Sequence, residues 1–136
     1  MTDEKTSEKT KKMIAFWDSS SIIPLILKEE KTDQSMTLFK KTEKMLVWEY
    51  AQIECFSAIC KKEKTGDLNY PIFKEALQSL YSLTLLWNEI TPLSLLAKTL
   101  AKRMISSYGL RTLDALQLAA ALISCNEDVK NLTFIT

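Results

Sequence analysis

Met13-Ile-Ala-Phe-Trp17-Asp18, followed at once by Ser19-Ser-Ser-Ile-Ile-Pro-Leu-Ile-Leu27, decides how the rest of the chain is read. The first run is short, apolar and rich in Ile and aromatics, and it stops at an acid. That pattern predicts a buried strand ending at Asp18. The hydroxyls after it can cap a helix, predicted over Ser19 to Glu30. Pro24 fits there only within the first turn or as a kink. Working outward, Thr32 to Thr42 reads as a second helix and Met45-Leu46-Val47 as a second strand. Trp48 to Lys64 reads as a longer helix, with Tyr50, Ala51, Ile53, Ala58 and Ile59 as its apolar positions and Gly66 as its stop. A helix over Asn69 to Leu86 and a third strand over Trp87 to Ile90 follow. Thr91-Pro92 reads as the start of a helix that runs to Tyr108 and stops at Gly109. Thr112 to Cys125 is almost uniformly apolar and is expected to be buried on most sides. Leu132 to Ile135 reads as a fourth strand. Short apolar strands alternating with helices predict an α/β fold with a mainly parallel sheet wrapped by helices. Ligands in such folds collect beyond the carboxyl ends of the strands, where Asp18 would stand.

The whole chain has 136 residues, 46% of them hydrophobic, enough for one domain and too few for two. We place that domain at residues 13–136. Residues 1–12 are polar and mixed in charge, read as a disordered tail and not as a signal peptide, with Met13 a second candidate start. Histidine is absent, which excludes Ser-His-Asp triads, Cys-His pairs and histidine-bearing zinc sites. Gly66 and Gly109 are the only glycines, so neither a P-loop nor a dinucleotide-binding glycine turn is possible. The net charge of +1 argues neither for nor against nucleic acid. Cys55, Cys60 and Cys125 form no C-x-x-C pair and read as reduced, buried thiols of a cytoplasmic protein. No apolar run approaches the roughly 20 residues needed to span a bilayer, so no membrane partner is expected.

Acid–base or metal chemistry must then rest mainly on carboxylates. Asp18, Glu54 (in Ala51-Gln-Ile-Glu-Cys-Phe56) and Asp114 (in Leu110-Arg-Thr-Leu-Asp-Ala-Leu116) stand out because their neighbours are apolar. Carboxylates are rarely buried unless they are paired or bind metal. Each also has an ordinary reading. Asp18 is placed to cap the next helix. Asp114 suits a helix first turn with Thr112 as cap. Glu54 is a solvated residue or a salt-bridge partner of Lys61 or Arg111. Together, in a doubly wound sheet, the three converge at one edge. Converging carboxylates raise one another's pKa unless a cation is bound. An all-oxygen set favours Mg²⁺ or Mn²⁺ over zinc.

Phe16-Trp-Asp-Ser-Ser-Ser-Ile-Ile-Pro-Leu25, Ile53-Glu-Cys-Phe-Ser-Ala-Ile59 and Tyr108-Gly-Leu-Arg-Thr-Leu-Asp-Ala-Leu-Gln-Leu-Ala-Ala-Ala-Leu122 resemble the PIN-domain family, specifically VapC-like toxins of type II toxin–antitoxin systems. The resemblance covers residues 13–136, and its third segment is the most specific. It implies a PIN-like three-layer α/β fold, Mg²⁺ or Mn²⁺, and endoribonuclease activity. It also implies a homodimer and inhibition by a cognate antitoxin protein. By position, Asp18, Glu54 and Asp114 match the family's first three catalytic, metal-holding acids, and Ser20 matches a position that supports the first. Gln117 stands where a histidine is common. Asn131 to Thr136 resembles the strand leading to the family's fourth acid, which is missing here together with the last strand and terminal helix. We therefore expect a truncated member with weakened metal affinity and an exposed sheet edge, and a terminal carboxylate at Thr136 as a poor stand-in anion.

Arg111, next to Asp114, is the one basic residue assigned to substrate phosphate. Lys61, Lys62 and Lys64, and Lys40, Lys41 and Lys44, read as dipole complements or solvated faces. Trp48, Tyr50 and Phe56 read as core rather than base-stacking platforms. Two rival readings remain: a non-catalytic remnant of the same fold that binds antitoxin or a dimer partner, and a phosphotransfer domain. The second lacks the further acid expected close to Asp18.

Overall fold

Along β1 (Met13–Trp17) alternate side chains point to opposite faces of the sheet, and that alternation divides the core. Ala15 and Trp17 enter one buried cluster, Phe16 another. β2 (Thr42–Trp48) repeats the division, with Met45 and Val47 on the first side and Leu46 and Trp48 on the second. The computed structural model describes residues 12–127 and 129–136. The tail expected over residues 1–12 therefore lies, but for Lys12, outside the described residues.

β3 (Asn88–Ile90) and β4 (Thr133–Ile135) complete a four-stranded sheet in the order β3-β2-β1-β4, with every pairing parallel. The order reverses at β1: the chain moves outward through β2 and β3, then returns to place β4 on the other side. The crevice between β1 and β4 is thus the switch point of the sheet, where α/β folds place ligands.

Helices cover both faces. α1 (Ser19–Ile26), α2 (Thr32–Lys41), α3 (Ala51–Lys64) and α4 (Tyr70–Thr84) pack on the Trp17 side. α6 (Thr112–Ser124) lies on the Phe16 side, with α5 (Ser94–Tyr108) packed on it. The alanines of α6 make that contact close: Ala120 and Ala121 meet Phe16, Leu46 and Trp48, while Ala115 and Ala119 meet Leu100 and Ala101. The result is a three-layer α/β architecture with, among the described residues, six α-helices around the sheet. Among the described residues no helix is long and apolar enough to cross a membrane.

Several boundaries differ from the sequence reading. α1 ends at Ile26, not Glu30. Pro24 lies inside it without an N–H for the helix ladder, and Leu27 is already extended. The Thr32 hydroxyl closes the turn, 2.8 Å from Pro24 O and 3.1 Å from Leu27 O, and accepts the Glu29 N–H. β2 begins three residues before Met45, because its polar start pairs with Met13 and Ile14. Thr91-Pro92 does not open α5, which starts at Ser94 after Leu93. A residue preceding proline is driven toward extended backbone, and the chain leaves β3 through Thr91 and Pro92 without helix. Gly109 does end α5, in the left-handed conformation at φ 65°.

Candidate functional site

Asp18 occupies the N-cap position of α1 with extended backbone, yet its side chain makes no capping hydrogen bond. The ordinary reading of this acid as the helix N-cap holds for its position and backbone, but not for its side chain. The turn is held by other groups. Asp18 N donates to Ile135 O at 2.8 Å, tying the end of β1 to β4. The Ser21 hydroxyl donates to Asp18 O and lies 3.1 Å from Ile135 O. The carboxylate itself is approached by two hydroxyls on the same oxygen: Ser20 Oγ at 3.1 Å and Thr136 Oγ1 at 3.4 Å from Oδ2. Both residues assigned a supporting role thus meet Asp18, Thr136 through its side chain.

Asp114 lies in the first turn of α6, at the same edge of the sheet. Asp18 and Asp114 line one cleft of about 300 Å³ together with Gln117 and Thr136, closed on its apolar side by Leu110, Leu118 and Phe134. Thr112 is the first residue of α6, not its cap; Arg111 holds the cap position and its side chain makes no capping bond. Arg111 Nε stands 3.9 Å from Asp114 Oδ2, and its side chain is 94% exposed. An exposed pair at that distance is weak, and Arg111 is not part of the cleft lining.

Glu54, in the first turn of α3, does not line that cleft. It is tied to the Asp18 turn by the Ser19 hydroxyl, which donates to Glu54 Oε1 at 2.9 Å. Neither Lys61 nor Arg111 is its partner. Burial pushes the Glu54 carboxyl above the ordinary range; the Ser19 hydrogen bond opposes this, and the charges of Asp18 and Asp114 push it further up. Glu54 therefore feels both other acids. Cys55 beside it is fully buried, donates to Ser19 O at 3.9 Å and is pushed up to about 12 by burial and by the charges of Glu54 and Asp18. It stays a thiol, as its structural reading expects. Cys60 and Cys125 are also free, but only half-buried.

The Glu54 shift fixes the sign of a pH effect. An acid whose folded pKa is raised binds its proton more tightly in the folded chain, so its contribution to stability falls as pH rises above the unfolded value. Glu54→Gln keeps an acceptor for Ser19 and removes that penalty. We expect it to raise the thermal midpoint by a few degrees at pH 7, the gain shrinking to nothing as pH falls below about 4.5, the ordinary carboxyl value. Thermal melts across that range check it; a loss of stability at pH 7 would contradict the assignment.

The donor chemistry of the three carboxylates suits a hard divalent ion. As arranged, however, no three Asp, Glu, His or Cys side chains among the described residues form a group that could hold one. Asp18 and Asp114 share the cleft, and Glu54, outside its lining, is bonded to the hydroxyl of Ser19, the residue after Asp18.

The sequence reading gave Ser19 no role beyond helix capping, and noted Gln117 only as standing where a histidine is common. Ser19, rather than Ser20, is the hydroxyl that engages Glu54. Gln117 is 3% exposed, and its Oε1 accepts the Ser19 N–H at 3.3 Å. The aromatic assignments need correction too. Trp48 is core, but Tyr50 and Phe56 are each 49% exposed. The buried stripe of α3 is Ala51, Cys55 and Ile59, at a spacing of four, which turns Ile53 and Phe56 outward. Of the lysines, Lys62 pairs with Glu29 at 3.1 Å, and Lys61 and Lys64 border a separate depression with Ile53, Phe56 and Cys60. No protein-family model matches the chain, and no curated protein matches it.

Proposed function

We propose that the chain is a PIN-like, metal-dependent endoribonuclease of the VapC toxin type, acting in the cytoplasm. Asp18 carries the reading. A carboxylate that ends the strand at the switch point and declines its capping role is placed to serve something in the cleft. Asp114 in the same cleft and Glu54 coupled to both supply the rest of the acidic set.

Asp18 and Asp114 line the cleft and would hold Mg²⁺ or Mn²⁺ there, with Glu54 drawn in from its Ser19 contact as the ion binds; the ion would supply charge neutralisation at an RNA phosphodiester and activation of water for hydrolysis. The chain's own residues do the positioning. Ser20 and Thr136 direct hydroxyls at Asp18 Oδ2 and so set the orientation of that carboxylate. Ser19 holds Glu54 toward the same turn. Arg111, exposed at the start of α6, meets the substrate phosphate. With no histidine in the chain, proton transfer has no imidazole to use, and no covalent intermediate is invoked.

Purified protein is expected to cleave RNA with added Mn²⁺, and EDTA is expected to lower the rate at least about a hundredfold, since the carboxylates cannot replace the ion's charge on the phosphate. Cleavage that survives EDTA would sink this reading.

A non-catalytic role in binding an antitoxin or a second copy has its own support. Leu93 and Leu95 at the start of α5 are 78% and 80% exposed, and Ile53 and Phe56 beside Glu54 are open as well. Exposed apolar side chains in such numbers suit a protein partner. In the toxin reading the same surfaces serve the homodimer and the antitoxin.

A further inference from the structure

Gln117 is a buried amide lining the acidic cleft, and among the described residues it is hydrogen-bonded to Ser19 rather than to an acid. Its side chain is 3% exposed, its Oε1 accepts the Ser19 N–H at 3.3 Å, and it lies one helical turn beyond Asp114 on the same face of α6. Ser19 is the residue after Asp18, and its hydroxyl donates to Glu54. One amide thus links the three elements that carry the acids: α6 directly, the β1–α1 turn through the Ser19 backbone, and α3 through the Ser19 hydroxyl. The first N–H groups of α1 need acceptors, and Gln117 takes that of Ser19.

We propose that Gln117 is a positioning residue: its amide oxygen fixes the β1–α1 turn so that Asp18 faces the cleft and Ser19 engages Glu54. The consequence for metal affinity rests on the carboxylate-site reading above, whereas the effect on the turn does not. Outer-shell partners of metal ligands are worth roughly 10–100-fold in affinity when removed; Gln117 acts one step further out, through Ser19, so the lower end of that range applies.

The test compares the parent chain with Gln117→Met, which keeps length and burial but removes the acceptor, and Gln117→Glu, which retains an acceptor oxygen. Two readouts are taken besides the thermal midpoint: hydrogen exchange of the Ser19 amide without metal, and Mn²⁺ affinity by titration. The expected result is Ser19 exchange accelerated by about tenfold in Gln117→Met and the parent rate in Gln117→Glu, with Mn²⁺ affinity weakened about tenfold in Gln117→Met; Gln117→Glu adds a carboxylate to the cleft and is read by Ser19 exchange alone. Thermal midpoints should stay within a few degrees, so a general loss of structure is not the cause. Should Gln117→Met unfold, Gln117→Glu and Gln117→Asn carry the comparison, the shorter amide being expected to lose the Ser19 contact. Unchanged Ser19 exchange in a folded variant lacking the acceptor overturns the proposal. Parent-like Mn²⁺ affinity in that variant overturns its consequence for the site. If the parent itself binds no Mn²⁺, the carboxylate-site reading fails, and Ser19 exchange alone decides the positioning of the turn.

Discussion

Asp18→Asn is expected to lower Mn²⁺-dependent RNA cleavage by at least about a hundredfold while leaving the fold intact. The magnitude follows from the role: loss of a ligand carboxylate exceeds the roughly 10–100-fold that loss of an outer-shell partner brings. The preservation of the fold follows from the contacts. The Asp18 side chain caps nothing, and the turn is held by backbone and serine bonds that Asn keeps: Asp18 N to Ile135 O, and the Ser21 hydroxyl to Asp18 O. Asn also presents an amide oxygen to the Ser20 and Thr136 hydroxyls. Removing one of the charges that press on Glu54 should, if anything, steady the chain. Initial cleavage rates paired with thermal melts separate the two effects. Undiminished cleavage in a folded variant would show that Asp18 is not part of the machinery.

The second large effect concerns stability. Trp17 is the largest fully buried side chain, at the end of β1 and one residue before Asp18. It packs in the cluster shared by α1, α3 and α4 and meets the Phe39 ring edge-on at 6.3 Å. Trp17→Ala removes most of that packing and leaves a cavity, a change that costs about 3–5 kcal/mol in well-packed cores. The indole Nε1 is buried without a hydrogen-bond partner. Removing an unsatisfied donor is itself favourable, so the loss should fall near the lower end, about 3 kcal/mol. Against a typical domain stability of about 5–15 kcal/mol, that is enough to move the urea midpoint far to the left. A shift worth less than about 1 kcal/mol would mean that the site around Trp17 collapses without penalty.

The strand-then-acid pattern at Met13 to Asp18 was legible because buried parallel strands are short and continuously apolar, and the acid at its end, readable also as a helix N-cap, falls where α/β folds place ligands. Glu54 and Asp114 were legible for a related reason, as charges set among apolar neighbours. The sheet order follows from the chain's alternation of strands and helices, and the reversal at β1 brought Asp18 and Asp114 to one cleft. What the residues did not disclose was pairing at long range. Gln117 and Ser19 are 98 positions apart, and no local pattern joins an amide on one helix to the first N–H of another. The exposure of Phe56 was readable in principle: Ala51, Cys55 and Ile59 define the inward stripe of α3, and Phe56 lies off it. The choice between stripes needed the face that meets the sheet. Thr91-Pro92 misled because its signature suits both a helix start and an extended exit from a strand, and β3 decided for the exit.

The central claim is that Asp18, Glu54 and Asp114 share one cation. Equilibrium titration with Mn²⁺ of the parent chain and of Asp18→Asn, Glu54→Gln and Asp114→Asn tests it most directly. The account predicts a single site in the parent, weakened in each of the three variants while all remain folded. Binding indifferent to these substitutions, or no binding by the folded parent, would contradict it.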